Sequence, residues 1–296
     1  MLHTSEIRPS ATVILVRQNA SGFQVFLARR HHRQSFMAGA YVFPGGGVDP
    51  SDCDDQTAAC LSAPDGFDPQ SLLQDDTVTS AMARSLYVCA IRETFEETGV
   101  LLAHSDDGHF ILSSTPQDAA RFAEHRRALN AGRITLKDIA RMEHLSFPLD
   151  ALVPYAHWIT PEIVPKRFST RFFLARLPDG QTAETNSDEL TDCLWADPAA
   201  ALRMYVKKEI LLMPPTLKTL DELRAFTGLQ DLFDYARQKE IYPIEPQPEQ
   251  NFLKLPHDPD YDLAGYKRPA RPEEPCRLIL CDGIWQMGFH PAAARP

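Results

Sequence analysis

The pattern of apolar and polar positions predicts that strands and helices alternate along most of the chain. Two β-branched apolar runs at 11–17 and 24–29, separated by a turn, predict an N-terminal β-hairpin. Apolar runs at 152–159 and 168–177 predict two further strands. Capping signals and helical spacing predict helices at four places: 117–130, 135–144, 199–206 and 229–238.

Residues 90–100 carry the most unusual polar pattern. At about 100° per residue, Glu93, Glu96 and Glu97 share one face of a helix, and Gly99 is a helix stop. The opposite face would anchor the helix to a core through three apolar residues: Val88, Ile91 and Phe95. Three like charges on one face repel each other, so the pattern indicates a bound cation; a solvated acidic face is the alternative. Hard divalent ions such as Mg²⁺ or Mn²⁺ prefer such oxygen ligands.

A triple glycine follows a short apolar strand well before this helix. Gly45, Gly46 and Gly47 come directly after Val42-Phe43-Pro44. Glycine lets a backbone approach a ligand closely. The glycines alone are typical of many turns, so their significance depends on the acidic helix downstream.

The composition limits the expected partners and surroundings. The net charge of -10 argues against a nucleic-acid-binding surface, which normally carries a basic excess. The six cysteines include no CxxC pair, so we expect reduced thiols and no disulfide frame or zinc site. The first ten residues lack an apolar signal core, and no apolar run reaches the length of a membrane span. We therefore expect a soluble, cytoplasmic protein without membrane attachment.

Together, the glycines and the acidic helix resemble the Nudix box of the Nudix hydrolase superfamily. The box reads G-x5-E-x7-R-E-U-x-E-E-x-G-U, where U is aliphatic. Its second half matches the run from Arg92 to Val100, except that Thr94 replaces an aliphatic residue. Phe43-Pro44-Gly45-Gly46 matches the glycine half. The resemblance implies an α/β fold of Nudix type, with a mixed sheet between helices.

The first half of the box departs from the family pattern. Gly46 precedes Arg92 by 46 positions instead of 14, and Arg84 stands where the mid-box glutamate is expected. The inserted segment, at about 50–85, is rich in Asp, Pro, Ser and Gln and is typical of a surface excursion with a short helix. We expect three of its acidic residues to be solvated: Asp52, Asp54 and Asp55. Asp49 is a secondary candidate for a place near the metal, where the family often has an acidic residue.

An interrupted box resembles the branch that includes peroxisomal coenzyme A diphosphatases. Further matching stretches are 36–46, 158–161 and 170–175. The resemblance implies a Mg²⁺- or Mn²⁺-dependent hydrolase that cleaves the diphosphate of coenzyme A or an acyl-CoA. One alternative is a diphosphatase for ADP-ribose, nucleotide sugars or other nucleoside diphosphate derivatives. Another is a non-catalytic Nudix-fold regulator that binds a nucleotide.

The resemblance also implies roles for individual residues. Glu93, Glu96 and Glu97 would hold the metal, and Arg92 would orient them. The general base would be either a box glutamate or Glu189, which stands six residues before Trp195; Glu184 is the alternative to Glu189. Gly45, Gly46 and Gly47 would let the backbone approach the metal and the phosphates.

A basic cluster before the glycines is a candidate phosphate-binding site on its residue types alone. It contains Arg29, Arg30 and Arg33, and a solvated loop is the alternative interpretation. The expected partner is accordingly a small nucleoside diphosphate compound.

The chain is expected to form one Nudix domain with a C-terminal extension. The domain covers 8–240, with a helical insertion at about 115–145 in addition to the insertion in the box. Residues 241–296 are proline-rich and are predicted to wrap the surface and end in a hairpin, because two apolar runs flank Asp282-Gly283. For this tail we expect a role in packing or in a homodimer contact.

Overall fold

The computed structural model describes residues 6–20, 22–31, 38–111, 115–185 and 190–292. The strands in these ranges are β1 Ile7–Asn19, β2 Gly22–Arg30, β3 Ala40–Val42, β4 Gly45–Gly47, β5 Leu61–Ser62, β6 Phe147–Pro148, β7 Val153–Ile159, β8 Arg167–Arg176, β9 Leu190–Ala196, β10 Leu211–Leu212, β11 Pro243–Ile244, β12 Gln247–Pro248, β13 Phe252–Lys254, β14 Arg277–Cys281 and β15 Ile284–Gly288. The helices are α1 Asp55–Ala58, α2 Pro69–Leu72, α3 Ser80–Thr98, α4 Pro116–Asn130, α5 Leu136–Glu143, α6 Pro198–Val206, α7 Pro214–Leu223 and α8 Leu229–Gln238, with short 3₁₀ helices at Pro50–Cys53 and Leu149–Ala151.

A mixed sheet lies at the centre of the fold. Over the described ranges it has nine strands, with the order β10-β3-β2-β1-β8-β7-β11, while β4 pairs with β1 and β9 pairs with β2. β1 and β2 form the predicted antiparallel hairpin, whereas β1 and β8 are parallel. Helices cover both faces of this sheet, which confirms the predicted α/β fold class.

Alternating side chains along the central strands fill a separate core on each face of the sheet. Val13 and Phe173 belong to the core that contains α3. Ile14 and Leu174, one position later on each strand, belong to the core that contains α7 and α8. The apolar face predicted for the acidic helix is confirmed, because its three anchors are buried: Val88, Ile91 and Phe95.

The acidic helix α3 begins earlier than the sequence indicated. The hydroxyl of Thr79 accepts a hydrogen bond from the backbone of Met82 at 3.2 Å and caps the helix, so residues 80–85 belong to α3 and not to the insertion. The helix ends at Gly99, as predicted, with a φ of 75°. This left-handed conformation strongly favours glycine.

The remainder of the box insertion is packed onto the domain. The ring of Phe67 lies edge-on to Tyr87 of α3, with centroids 6.0 Å apart. The side chain of Gln74 donates to the carbonyl of Lys239 at 2.9 Å and accepts from the backbone of Ile241 at 3.0 Å. These contacts tie the insertion both to α3 and to the segment that follows α8.

A second, antiparallel sheet with the order β12-β13-β14-β15 lies in the C-terminal part. Its last two strands form the predicted hairpin, and Asp282 and Gly283 in the turn both have positive φ. Leu278 is buried in the core that contains α7 and α8, so this sheet packs on the domain. Among the helices described, none combines the length and apolar character needed to cross a membrane.

Candidate active site

The last turns of α3 lie against the triple glycine of β4. The backbone N–H of Gly45 donates to Oε2 of Glu97 at 2.8 Å. A Cβ atom at Gly46 would lie 2.3 Å from Oε1 of Glu93, so the absence of a side chain there lets the carboxylate approach the backbone. The fold therefore brings together the two halves of the box that the sequence separates.

Arg92 forms the centre of a buried hydrogen-bond network. Its Nη1 donates to Oε1 of Glu93 and to Oε2 of Glu96, both at 2.8 Å. Its Nη2 donates to the carbonyl of Gly47 at 2.8 Å. The planar guanidinium thus holds two of the three candidate metal ligands and one of the glycines in a fixed relation.

Asp52 completes this network, and the prediction that Asp52 is solvated was wrong. The residue is only 4% exposed, and its two carboxylate oxygens accept from Nε and Nη2 of Arg92, each at 2.9 Å. This bidentate pair is a strong and directional contact. The acid of this pair, Asp52, belongs to the insertion in the box. Arg84, which stands at the position of the mid-box glutamate, is exposed on α3. An acid of the insertion, Asp52, therefore makes the bidentate contact to the box arginine.

A capping motif explains why Asp52 is ordered. Asp49 and Asp52 form a reciprocal capping box around the short 3₁₀ helix: Asp49 accepts from Ser51 at 2.9 Å, and Asp52 accepts from the backbone of Asp49 at 2.8 Å. The sequence Asp-Pro-Ser-Asp directly after the glycines is a signal for this turn. The other two acids of this set do lie towards the surface, since Asp54 is half-buried and pairs with Lys137, and Asp55 is exposed.

The electrostatics of the site favour a bound cation. Burial raises the pKa of Glu93 to about 7; Arg92 opposes this shift and Glu96 adds to it. Burial also raises the pKa of Glu96, again against the effect of Arg92. For Arg92, burial acts to lower the pKa, but the bond to Asp52 and the charges of Glu93 and Asp52 raise it overall. A single guanidinium thus faces more negative charge than it balances.

The donors fit a divalent metal ion in their chemistry. All three glutamates offer carboxylate oxygens, the ligand type that Mg²⁺ and Mn²⁺ prefer. Among the described residues, the hydrogen bonds to Glu93 and Glu96 engage one oxygen of each carboxylate, which leaves the other oxygen able to bind a cation. The Gly46 backbone provides the close approach that a compact site requires.

Comparison with known proteins agrees with this geometry. The family model described as the NUDT19 Nudix domain matches residues 6–223 of the chain. This chain belongs to that Nudix family. The match covers the whole site, including the box insertion with Asp52 and the helical insertion with α4 and α5, so the predicted membership of the Nudix superfamily is confirmed.

Two curated Nudix relatives are similar over most of the chain. The acyl-coenzyme A diphosphatase NUDT19 of Xenopus laevis is 27% identical over 302 residues, covering 90% of this chain and 80% of the relative. Its namesake from Homo sapiens is 28% identical over 259 residues, covering 76% of this chain and 67% of the relative. The predicted resemblance to the coenzyme A diphosphatase branch is therefore confirmed.

A solved Nudix structure is similar in fold as well as in sequence. The NUDIX hydrolase from Alicyclobacillus acidocaldarius is 27% identical, with a TM-score of 0.61, and the match covers 78% of this chain and 96% of the other. The chain is a Nudix hydrolase, as its sequence predicted. Nudix hydrolases generally act with divalent metal ions.

The potential ligand atoms of the three Nudix-box glutamates are not all within 4.8 Å of one another in the described structure. Among the described residues, the group whose potential ligand atoms all lie within 4.8 Å of one another is Asp258, Asp260 and His290, in the C-terminal part. The guanidinium of Arg277 forms ion pairs with both aspartates of that group, so their negative charge is already paired. Binding of one ion by all three box glutamates would require rotation of their side chains.

The remaining candidate residues fall into three groups. Arg29 and Arg30 lie half-buried at the end of β2 beside β9, and no hydrogen bond or ion pair between described residues links them to Glu93 or Glu96. Arg33 and Glu189 lie outside the described residues. Glu184 is exposed, but its backbone N–H donates to the carbonyl of Thr98 at 2.9 Å, which places it at the end of the box helix.

Proposed function

We propose that this chain is a Mg²⁺- or Mn²⁺-dependent diphosphatase whose substrate is coenzyme A or an acyl-CoA. The observation that carries this proposal is the joined box, in which the glycines, Arg92 and three glutamates meet, in a chain similar over most of its length to proteins named acyl-coenzyme A diphosphatases. The box supports the reaction type, and the relatives support the substrate.

In this proposal Glu93, Glu96 and Glu97 hold the metal at the end of α3 that lies against β4. A bound divalent ion supplies charge neutralisation for the diphosphate and lowers the pKa of a coordinated water. Arg92 holds the carboxylates of Glu93 and Glu96 by hydrogen bonds from Nη1, and Arg92 is itself held by Asp52. Glu97 is fixed by the backbone N–H of Gly45. These contacts anchor one oxygen of each carboxylate, and rotation of the side chains would then bring the three glutamates onto one ion.

The reaction is hydrolysis of one phosphorus–oxygen bond of the diphosphate. Water attacks a phosphorus atom, the bridging bond breaks, and the water proton passes to a base. The products are adenosine 3',5'-bisphosphate and phosphopantetheine or its acyl derivative. We assign the base to a box glutamate or to Glu189.

We further propose that Arg29, Arg30 and Arg33 bind the substrate phosphates. Support comes from their basic character and from the position of Arg29 and Arg30 on β2, which pairs with the same edge of β1 as β4 does. Substitution of all three by alanine is expected to raise KM for coenzyme A while leaving kcat nearly unchanged. An unchanged KM would remove these arginines from the site.

The substrate assignment is tested by a panel of diphosphates with product identification by mass. Coenzyme A, acyl-CoAs, ADP-ribose, NADH and nucleotide sugars are each incubated with the protein and Mg²⁺ or Mn²⁺. We expect the highest kcat/KM for coenzyme A or an acyl-CoA, with phosphopantetheine products. A preference for another diphosphate would reassign the substrate, and no hydrolysis of any compound would favour a nucleotide-binding regulator.

A further inference from the structure

Two side chains of the helical insertion contact the end of the box helix at the same carbonyl oxygen. Arg126 of α4 donates from Nε to the carbonyl of Glu96 at 2.9 Å. Asn130, one turn later on α4, donates from Nδ2 to the same carbonyl at 3.3 Å. Glu96 contributes one of the last four carbonyls of α3, which lack partners within a helix. The backbone N–H of Val100, which would be the next intrahelical donor, binds the hydroxyl of Thr98 instead.

Arg126 also reaches the loop that follows β8. Its Nη2 donates to the carbonyl of Glu184 at 3.2 Å, while the backbone N–H of Glu184 binds the carbonyl of Thr98. Gln181 in the same loop is held by the backbone of Leu101 through two hydrogen bonds at 2.9 Å. The guanidinium therefore lies where α3, α4 and this loop meet.

The position of Arg126 depends on the glycine that ends the box helix. A Cβ atom on Gly99 would lie 3.1 Å from Nη1 of Arg126, which is tighter than ordinary packing. Burial acts to lower the pKa of Arg126, and the negative charges of Glu184 and Glu97 oppose this shift. The cation thus lies close enough to Glu97 to influence it, at the negative end of the helix dipole.

We propose that Arg126 is a positioning residue for the metal site. It fixes the turn of α3 that carries Glu96 and Glu97 through the carbonyl of Glu96, and it ties this turn to the loop at Glu184. The helical insertion is then part of the catalytic apparatus and not only a cover for the domain. This inference rests on the proposed metal-dependent hydrolysis.

The test compares Arg126→Ala and Arg126→Lys with Arg127→Ala. Arg127 is the neighbouring control, since its side chain is exposed and pairs only with Glu124 among the described residues. Binding of Mn²⁺ to the folded protein without substrate is measured by electron paramagnetic resonance, and kcat, KM and Tm are measured separately. We expect Arg126→Ala to weaken Mn²⁺ binding and to lower kcat about tenfold each, with little change in KM.

The conservative variant separates positioning from plain stability. Lysine keeps the charge and one donor, so Arg126→Lys is expected to recover most of the loss, while Arg127→Ala stays close to wild type. Folded Arg126→Ala with unchanged Mn²⁺ binding and kcat would overturn the proposal. So would a loss of activity that disappears when the assay temperature is lowered below the Tm of the variant. If the wild-type protein neither binds Mn²⁺ nor hydrolyses any diphosphate, the proposed function itself fails.

Discussion

Two buried arginines, Arg92 and Arg171, each bind an aspartate of the box insertion, but in different electrostatic settings. Arg92 binds Asp52 and also Glu93 and Glu96. Among the described residues, Arg171 on β8 forms an ion pair with Asp75, and its charge also acts on the neighbouring His157. The first group therefore has an excess of carboxylates, whereas the second is balanced.

The pKa values express the same difference. In the Arg92 group, burial raises the pKa of Glu93 to about 7. Burial also acts to raise the pKa of Asp75, but hydrogen bonds from Thr77 and Arg171 outweigh it and lower the value to about 2. An anion in a balanced pair is stable as it stands, whereas a surplus of buried anions is relieved either by protonation or by a further cation. We infer that the Arg92 group serves metal binding and that the Arg171 group serves stability.

The largest expected effect comes from removing one of the carboxylates proposed to bind the metal. Glu97→Gln keeps an oxygen that can accept from Gly45 but removes the charge available to a metal. We expect kcat to fall about 1,000-fold, and Glu96→Gln to behave similarly, with Tm nearly unchanged. Steady-state kinetics with the preferred diphosphate measures kcat, and thermal unfolding followed by circular dichroism measures Tm. Unchanged turnover would remove these residues from the metal site; Glu124→Gln on α4, which is exposed, is the control.

The second prediction concerns the acid that the insertion supplies to Arg92. In Asp52→Ala the guanidinium would shift towards Glu93 and Glu96 and compete with the metal. We expect kcat to fall between about tenfold and a hundredfold. The Mg²⁺ concentration that gives half-maximal activity should rise. Arg92 keeps two carboxylate partners, so the loss of unfolding free energy should be small. Titration of activity against Mg²⁺ measures the effect, and Asp55→Ala provides an exposed control from the same segment.

A combined variant tests whether the contact has moved or been lost. Adding Arg84→Glu to Asp52→Ala restores the acid at the family position. We expect no recovery, because α3 places the exposed residue 84 about 12 Å along the helix axis from Arg92. Recovery of activity would show that the position of the acid in the sequence matters more than the observed geometry.

The sequence predicted the box helix, its buried face, the N-terminal hairpin and the C-terminal hairpin, because each depends on local periodicity or turn residues. It did not predict the role of Asp52, whose partner lies 40 positions away. A loop acid surrounded by other acids resembles a solvated one unless the capping sequence is recognised. Arg126 was missed for a different reason. Its contact with Glu96 is to the backbone carbonyl, and such a contact leaves no trace in the pattern of side chains.

The third prediction breaks the balanced pair. Asp75→Ala leaves Arg171 buried without its carboxylate, and we expect a loss of about 3 kcal/mol in unfolding free energy. Activity per folded molecule should remain near that of wild type, in contrast to Asp52→Ala. Urea unfolding measures the unfolding free energy. Activity divided by the concentration of folded protein gives the activity per folded molecule. Asp76→Ala, at the exposed neighbouring position, should change neither; a large loss of kcat in folded Asp75→Ala would contradict the division between the two groups.

The smallest expected effect is the pH dependence of the Arg171 group. Burial, aided by the charge of Arg171, lowers the pKa of His157 to about 3 from its usual 6.5, so the folded protein keeps this imidazole neutral. The unfolded chain binds the proton at about the usual value. The stability due to neutral His157 is therefore present above pH 6.5 and is lost as the pH falls towards 3, by about 1 kcal/mol per pH unit.

Urea unfolding of wild type and His157→Gln at pH 7, 6 and 5 isolates this contribution, because other titrating groups cancel in the difference. Glutamine retains a polar group near Ser169, which binds Nε2 of His157 at 2.8 Å. We expect wild type to lose stability faster than the variant as the pH falls below 6.5. Parallel curves would mean that His157 binds its proton at about the same pH in the folded and unfolded protein, and the Arg171 group would then carry an excess of positive charge below that pH.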